Sequence, residues 1–558
     1  MTAIVGFTLA GWQVLAEIPP ENTAQFPSTF SPEIPEDVDV EALRKLDRDN
    51  QIPEAQRLFD ILAWRLFLAI NWPAKPDGTP DTAKDLGDAT SPRVWMSWMA
   101  NEDIFRPDGG KPVNWDPAVA LKQPVHYLWR MSKMIDETES PVNELNESNQ
   151  AFTGPLVDQN GNFVRYESYM NRKQYDYIVE NELYNQEGQR VFTAQKGRLI
   201  EFPLASMGIK LAWKELGPND RPERFLTRKV TIVKTSYDDK NQPVKTKVPA
   251  TVGMVGMHVT ALTKTAPNWV WSTFEHVDNV QVNDLDVVHG TNGDQRLRPL
   301  FSNPDAPTKL VNVLPPTNAV PDKNGKFTTW DETLTKNPTQ LTRVVPIPLS
   351  LQELNRQVEE QLKQAGSVLQ YYQLIGTQWP VQPGFPAFGG GGGSAPESIV
   401  HKVPGRIVPV FLVNTTMESY FQAGPQVAGP LEEDDRLPFG FWSDDASEHV
   451  SPDRTKVFGT ETCVGCHFSA GAVVGFRKNE RGEYLRDDLG LKIPIYGKNG
   501  SFGQTGNGAY LWQFQLKARQ KEPPVKTPGA AKKAKGPSPG PVAQPTSQKP
   551  PTISAPEQ

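Results

Sequence analysis

Residues 461–471 read ETCVGCHFSAG and hold Cys463, Cys466 and His467, and these two cysteines are the only ones in 558 residues. Cys-x-x-Cys-His has a chemical reason for its spacing. On one helical turn the two sulfurs reach the vinyl-derived carbons along one edge of a porphyrin, and the adjacent imidazole lies under the iron. The spacing therefore predicts covalent attachment of one c-type haem. Three other chemistries use paired thiols. Structural zinc needs four N or S ligands, and only distant histidines could complete such a set. A redox dithiol wants a βαβ context, whereas Pro-rich loops and hairpin signals surround this pair. A disulfide closing so short a loop would stabilise little.

At ETCVGCH the chain resembles bacterial cytochrome c family proteins. The strict resemblance covers only the motif and a few flanking residues. More loosely, LAINWPA (68–74), WVWSTFEHVDN (269–279) and NTTMESYF (414–421) look like a large group of bacterial proteins that end in a single haem motif. The resemblance implies thioether links at Cys463 and Cys466, with His467 as the proximal iron ligand. Small soluble cytochromes place a methionine ligand downstream, but neither methionine nor histidine follows His467 here. About fifty residues separate the motif from the tail, too few to enclose a haem alone. The body must then supply much of the pocket. Upstream distal-ligand candidates are Met417 first, then His449, His258 and His276. A buried methionine is ordinarily core filler and a strand histidine an interior residue, and the sixth position can also be vacant.

Two functional classes stay open on this reading. One is an electron carrier with six-coordinate iron, paired with a redox partner protein. The other is a haem-dependent oxidoreductase, peroxidase-like or substrate-oxidising, with an open or weakly ligated iron; a binding module with a sensory or structural haem is a third idea. Glu275-His276-Val277-Asp278 invites an acid/base or metal reading, but in a strand Glu275 and His276 point to opposite faces. No nucleophile elbow, phosphate loop or dinucleotide fingerprint occurs. The acidic residues Glu432, Glu433, Asp434, Asp435, Asp444 and Asp445 read as a solvated face that could dock a basic redox partner.

Covalent haem attachment takes place outside the cytoplasm, which bears on the N-terminus. AIVGFTLAGWQVLA (3–16) is an apolar run ending in a small residue before a polar, Pro-rich stretch, and 1–16 is expected to be the remnant of a secretory signal. The expected location is periplasmic or otherwise extracytoplasmic. No run is long and apolar enough to span a bilayer as a helix. The net charge of −7 is unevenly placed, because residues 521–558 carry six lysines against Glu522 and Glu557. The acidic remainder makes nucleic acid an unsuitable partner. The tail, with ten prolines, is expected to be disordered and able to contact an anionic surface.

The elements that must position the motif read as an α+β fold, a large helical and antiparallel-β body with a small C-terminal haem-attachment segment. Leu58, Leu62, Leu66 and Ala69 predict a helix between Pro53 and Pro73. Ser91–Pro92 before RVWMSWM and Asp116–Pro117 before AVALKQPVHYLWRMSKMID look like two further helix starts. Asn160–Gly161, Asn324–Gly325 and Asn499–Gly500 signal hairpin turns. KVTIVKTSYDDKNQPVKTKVPATVGMVGMHVTAL predicts strand, turn and strand, and WVWSTFEHV another strand. A capping box at Ser350…Glu353 opens a helix with Leu351, Leu354, Val358 and Leu362 on one face, and SVLQYYQLIGTQWP after it is strand-like. Five glycines, Gly389 to Gly393, mark a linker over 389–396. The expected organisation is a body over 17–388, that linker, a haem region over 397–520 and the tail.

Overall fold

The computed structural model describes residues 24–49, 51–122, 127–128, 156–195, 199–218, 220–237, 243–280, 287–290, 293–296, 299–303, 312, 338–343, 347–379, 412–419, 463, 467, 470–487, 490–498 and 508–521. The expected signal remnant, the glycine linker, the tail beyond Lys521, the turns at Asn324–Gly325 and Asn499–Gly500, Cys466, His449 and the acidic residues 432–445 lie outside them.

Helix α1 (Val40–Arg48) leads into α2 (Ile52–Ile70), which takes Pro53 in its first turn and ends on Asn71. Asn71 explains the NWP ending. Its side-chain amide donates to the Phe67 carbonyl at 2.8 Å, and its oxygen accepts from Trp95 Nε1 at 3.1 Å. The helix expected over RVWMSWM is only a 3-10 turn, Val94–Ser97. Backbone bonds from Ala74 N to Pro92 O and from Val94 N to Trp72 O pull this stretch into a β-bridge, and β1 (Met99–Ala100) follows at once. A short helix α3 (Asn101–Ile104) comes next. The helix begun at Asp116–Pro117 stops early as α4 (Pro117–Lys122), two residues before Pro124, whose ring and missing N–H oppose continuation. Tyr127–Leu128 is instead a strand, β2.

The remaining elements are β3 (Arg165–Met170), α5 (Arg172–Glu180), α6 (Gln186–Thr193), β4 (Met207–Glu215), β5 (Thr227–Tyr237), β6 (Pro243–Ala261), β7 (Val270–His276), β8 (Val287–Gly290), β9 (Gly293–Arg296), α7 (Leu349–Gln364), β10 (Tyr372–Gln378), β11 (Gly471–Phe476), β12 (Pro494–Lys498) and α8 (Trp512–Leu516). The fold is α+β, as its patterning predicts. Helix α7 differs in its start: Pro348 is the N-cap, so Ser350 lies inside the first turn and caps nothing.

Eight strands form the main sheet in the order β1-β3-β4-β6-β5-β2, with β7 added to β6 and β10 to β7. All pairs are antiparallel except β2 with β5. Strand β6, 19 residues long, is the spine. Its second half pairs with β4 along one edge, while its other edge pairs first with β5 and then with β7. Strands β8–β9 and β11–β12 form two separate ribbons.

Alternation along β7 divides the interior. Val270 and Phe274 face a core built with α2 and α7, including Phe59, Trp64, Phe67, Leu354 and Val358. Phe274 stacks on Phe67 with centroids 4.1 Å apart. Trp64 Nε1 donates to Asn355 Oδ1 at 2.9 Å, and Asn355 exchanges two bonds with the Leu374 backbone, which ties α2 and α7 to β10. The opposite side of the sheet carries two further apolar clusters, and the C-terminal segments pack there. Among the described residues no helix is long and apolar enough to cross a membrane.

Asp60 on α2 is buried, and desolvation raises its carboxyl from 3.8 to about 6 against the opposing hydrogen bond from Gln56. The folded chain then holds this proton more tightly than the unfolded chain. The associated stability is present at low pH and lost as pH rises through about 6. Asp60→Asn, neutral throughout, should raise the unfolding free energy near pH 7 by about 1–3 kcal/mol and converge on wild type below about pH 4. Urea titrations at the two pH values check this, and an equal offset at both would contradict it.

Candidate functional site

The odd-numbered residues of β7 point away from the α2 core, and each meets a different C-terminal residue. Trp271 faces His467, with ring centroids 4.7 Å apart and planes tilted by 49°. Its own Nε1 donates to the Asn268 carbonyl at 2.9 Å, which fixes the indole. Thr273 Oγ1 accepts from Asn414 Nδ2 at 2.9 Å and lies 2.9 Å from His258 Nδ1. Glu275 accepts from the backbone N–H of Thr415 and from its hydroxyl, each at 2.6 Å, and from Arg343 Nη2 at 2.6 Å. One strand face thus receives both His467 of the CVGCH stretch and the NTTMES segment.

The residues 412–419 lie flat on the sheet because the sheet leaves room for them. Gly256 on β6 sits where a Cβ would strike the Thr416 hydroxyl, and a Cβ on Gly376 would come within 2.8 Å of Leu412 Cδ1. Asn414 Nδ2 also donates to the Phe274 carbonyl, Tyr166 donates its hydroxyl to the Thr416 carbonyl at 2.7 Å, and Glu418 Oε1 is 3.1 Å from His258 Nε2. The buried polar groups of this segment are therefore paired, as burial requires. The segment leads toward the motif: Cys463 Sγ lies 3.9 Å from the Leu412 carbonyl.

His467 is held from its other side. Its Nδ1 is 2.8 Å from the carbonyl oxygen of Tyr510. A carbonyl only accepts, so Nδ1 carries the proton, and in the neutral ring the lone pair is on Nε2. Ala470 N donates to the His467 carbonyl at 3.1 Å, and Gly508 N to the Ala470 carbonyl at 3.2 Å, which joins the motif to the turn before α8. Cys463, a half-buried thiol, packs against an apolar cluster containing Met99, Met170, Phe202, Trp269, Trp271, Tyr510 and Phe514. Burial pushes the Tyr510 phenol well above its ordinary range, so it stays neutral. Ribbon β11 is anchored to α6, where Val473 N donates to Gln189 Oε1 and Thr193 Oγ1 donates to the Val473 carbonyl.

The upstream candidates are placed elsewhere. Met417 is buried in the third cluster among Tyr166, Phe225, Val255, Phe301 and Leu341, apart from the cluster that receives Cys463. His258 is engaged through both ring nitrogens, with Thr273 and Glu418. His276 is fully buried and stacked on Phe225 at 4.3 Å. Asp278 N donates to its Nδ1, and its Nε2 donates to the Arg224 carbonyl; burial lowers its pKa and keeps it neutral. Glu275 and His276 do point to opposite faces and share no partner among the described residues. Asp278 accepts from Nε and Nη2 of Arg224, each at 2.7 Å.

Two other buried ionic groups are engaged by neighbouring side chains. Lys214 lies between Asp158 at 2.8 Å and Asp220 at 2.6 Å, and Glu167 accepts from Tyr169, Trp213 and Arg228. Both read as structural, since each charged group faces one of opposite sign within the fold. No group of three or more His, Cys, Asp or Glu side chains suited to a metal ion occurs among the described residues. A haem asks less of the protein, because the porphyrin supplies four of the nitrogens.

Sequence reasoning missed Trp271, Tyr510 and the lock of Thr415 on Glu275. The strand period carried part of the signal, since it sets Trp271, Thr273 and Glu275 on one face. Tyr510 lies 43 residues from its partner and carried none. In comparisons with known proteins, no family model, curated protein or solved structure matches the chain.

Glu275→Leu would leave Arg343 and both Thr415 donors without their acceptor in a buried place. It should cost about 3–5 kcal/mol, seen as a lower denaturation midpoint at unchanged m-value. A loss under about 1 kcal/mol would show that the NTTMES segment is held by packing alone.

Proposed function

We propose that this chain is a c-type haem protein that passes single electrons outside the cytoplasm, with one haem bound covalently at Cys463 and Cys466 and His467 as its proximal ligand. The observation that carries the reading is the hydrogen bond from His467 Nδ1 to the Tyr510 carbonyl. It selects the tautomer with its lone pair on Nε2, and a carbonyl-bound imidazole is both better oriented and a stronger donor to a metal. The donor set fits the group: a thiol at Cys463 four residues before an imidazole in this tautomer, beside an apolar and aromatic wall. When bound, the haem supplies a one-electron ferric/ferrous couple.

The chain's own contribution is then attachment, orientation and solvent exclusion. Cys463 and Cys466 tether the group, and the Tyr510 carbonyl and the Trp271 ring fix the imidazole. Phe202, Trp269 and Phe514 keep water from the same cluster, and such burial is one of the determinants of reduction potential. The extracytoplasmic location follows from where thioether attachment takes place. A redox partner protein completes the electron path, and the lysine-bearing tail offers a contact to an anionic surface.

A second reading is a haem-dependent oxidoreductase, peroxidase-like or substrate-oxidising, with an open or weakly ligated iron. It is favoured by the upstream candidates: Met417 is lodged in a separate cluster, and His258 and His276 are each bonded through both ring nitrogens.

Absorption spectra of protein matured in a haem-attaching periplasm decide between them. The carrier predicts low-spin bands, oxidised and reduced, that carbon monoxide leaves unchanged. A high-spin spectrum that shifts with the gas supports the oxidoreductase, and no haem band in either state overturns both.

A further inference from the structure

Most large apolar side chains among the described residues are covered, but Tyr484, Leu485 and Ile495 on the β11–β12 ribbon are 41–43% exposed. Between β11 and β12 the chain doubles back twice. Arg477 N donates to the Ile493 carbonyl at 2.9 Å, Leu485 N to the Arg477 carbonyl at 2.9 Å, and Ile493 N to the Leu485 carbonyl at 3.1 Å. The two tips are built alike. Asn479 Oδ1 accepts from Glu483 N at 3.0 Å and Asp487 Oδ1 from Leu491 N at 2.9 Å, with Gly482 (φ 80°) and Gly490 (φ 79°) left-handed. The backbone is thus held in shape while these three apolar side chains stay uncovered.

Tyr484 and Leu485 are neighbours in extended backbone, so their side chains take opposite faces. Tyr496 turns toward the body, donating its hydroxyl to the Gln515 carbonyl at 3.2 Å, and Ile495 beside it turns away. Cations surround this apolar surface. Lys478 Nζ and Lys492 Nζ lie 4.8 and 5.1 Å from the centre of the Tyr484 ring, and Arg477, Lys478, Arg481 and Arg486 are exposed. Residues 477–498 hold six basic side chains against four acidic ones, in a chain of net charge −7. The lysine-rich stretch begins at the same place. Gln520 Nε2 donates to the Lys492 carbonyl at 2.7 Å and its Oε1 accepts from Lys492 N at 3.1 Å, and six lysines follow from Lys521 onward. Two basic stretches of an acidic chain therefore meet at Lys492.

We propose that the ribbon surface formed by Arg477, Lys478, Tyr484, Leu485, Lys492 and Ile495 docks on an anionic phospholipid bilayer. The apolar side chains enter the headgroup region, and the lysines and arginines meet lipid phosphates. Cations set among aliphatic and aromatic groups suit such an interface. An acidic protein would match the charge but cover one face of the ribbon, whereas a fluid interface takes up apolar groups on both. One weak contact gives reversible binding, and the lysine tract from Lys521 supplies the second signal that stable attachment needs. The docking does not depend on the haem reading.

Co-sedimentation of the full-length chain with vesicles tests the proposal. The chain should bind vesicles of phosphatidylcholine and phosphatidylglycerol in equal parts, less so as salt is raised, and should not bind phosphatidylcholine alone. Leu485→Ser with Ile495→Ser should weaken the binding at least about tenfold. Lys478→Ser with Arg481→Ser should do the same, with unchanged circular dichroism. Wild-type binding by both folded variants overturns the proposal and leaves attachment to the tail or to the apolar run at 3–16. Amide exchange over 477–487 of the wild-type chain should slow on the mixed vesicles; no change there overturns the proposal even if a variant fails to fold. Binding to soluble poly-L-glutamate but to neither vesicle overturns it in favour of an acidic protein partner.

Discussion

Strand β7 is buried on both faces, and the two-residue period of its side chains is the constraint on which the rest of the structure depends. Val270 and Phe274 commit one face to the core under α2 and α7. The other face must then take whatever Trp271, Thr273 and Glu275 can hold, and those are an aromatic ring, a hydroxyl and a carboxylate. A one-residue slip of β7 would exchange the two faces, placing Glu275 in the apolar core and Phe274 on the polar segment. Its neighbours β6 and β10 fix that register from both edges.

The polar face works because each demand is met locally. A buried carboxylate is costly unless charge and hydrogen bonds surround it. Glu275 has Arg343 and two donors from Thr415, and the bare Cα of Gly256 lets that segment approach. From there the chain runs to Leu412, beside Cys463, so the packing of the thiol and the placement of the polar segment are coupled. The imidazole of His467 is bracketed in a different way, by the Trp271 ring and by a carbonyl from a turn that follows the β11–β12 ribbon. The described parts of the C-terminal region thus share their core with the body.

Much of this was legible in the sequence where the determining physics is local. The 3.6-residue period of Leu58, Leu62 and Leu66 specified α2, and the alternation in WVWSTFEHV specified β7 and the opposite orientation of Glu275 and His276. CVGCH is local in the same sense, since a c-type haem would ask for two thiols and an imidazole at that fixed spacing. Local reading failed where a distant backbone competed. RVWMSWM has a helix-like start, but Trp72 and Ala74 take its hydrogen bonds into a bridge. Ser350…Glu353 has the composition of a capping box, but the helix had already begun behind Pro348. The left-handed Ala509–Tyr510 pair has no signature at all, since neither residue type prefers that conformation.

Whether one porphyrin consumes both thiols decides the function of the chain. Intact-mass measurement on the full-length chain matured in a haem-attaching periplasm, repeated after thiol alkylation under denaturing conditions, tests this most directly. The expected result is the mass of the mature chain plus one haem, with no alkylation at Cys463 or Cys466. An unmodified mass that gains two alkyl groups would contradict it.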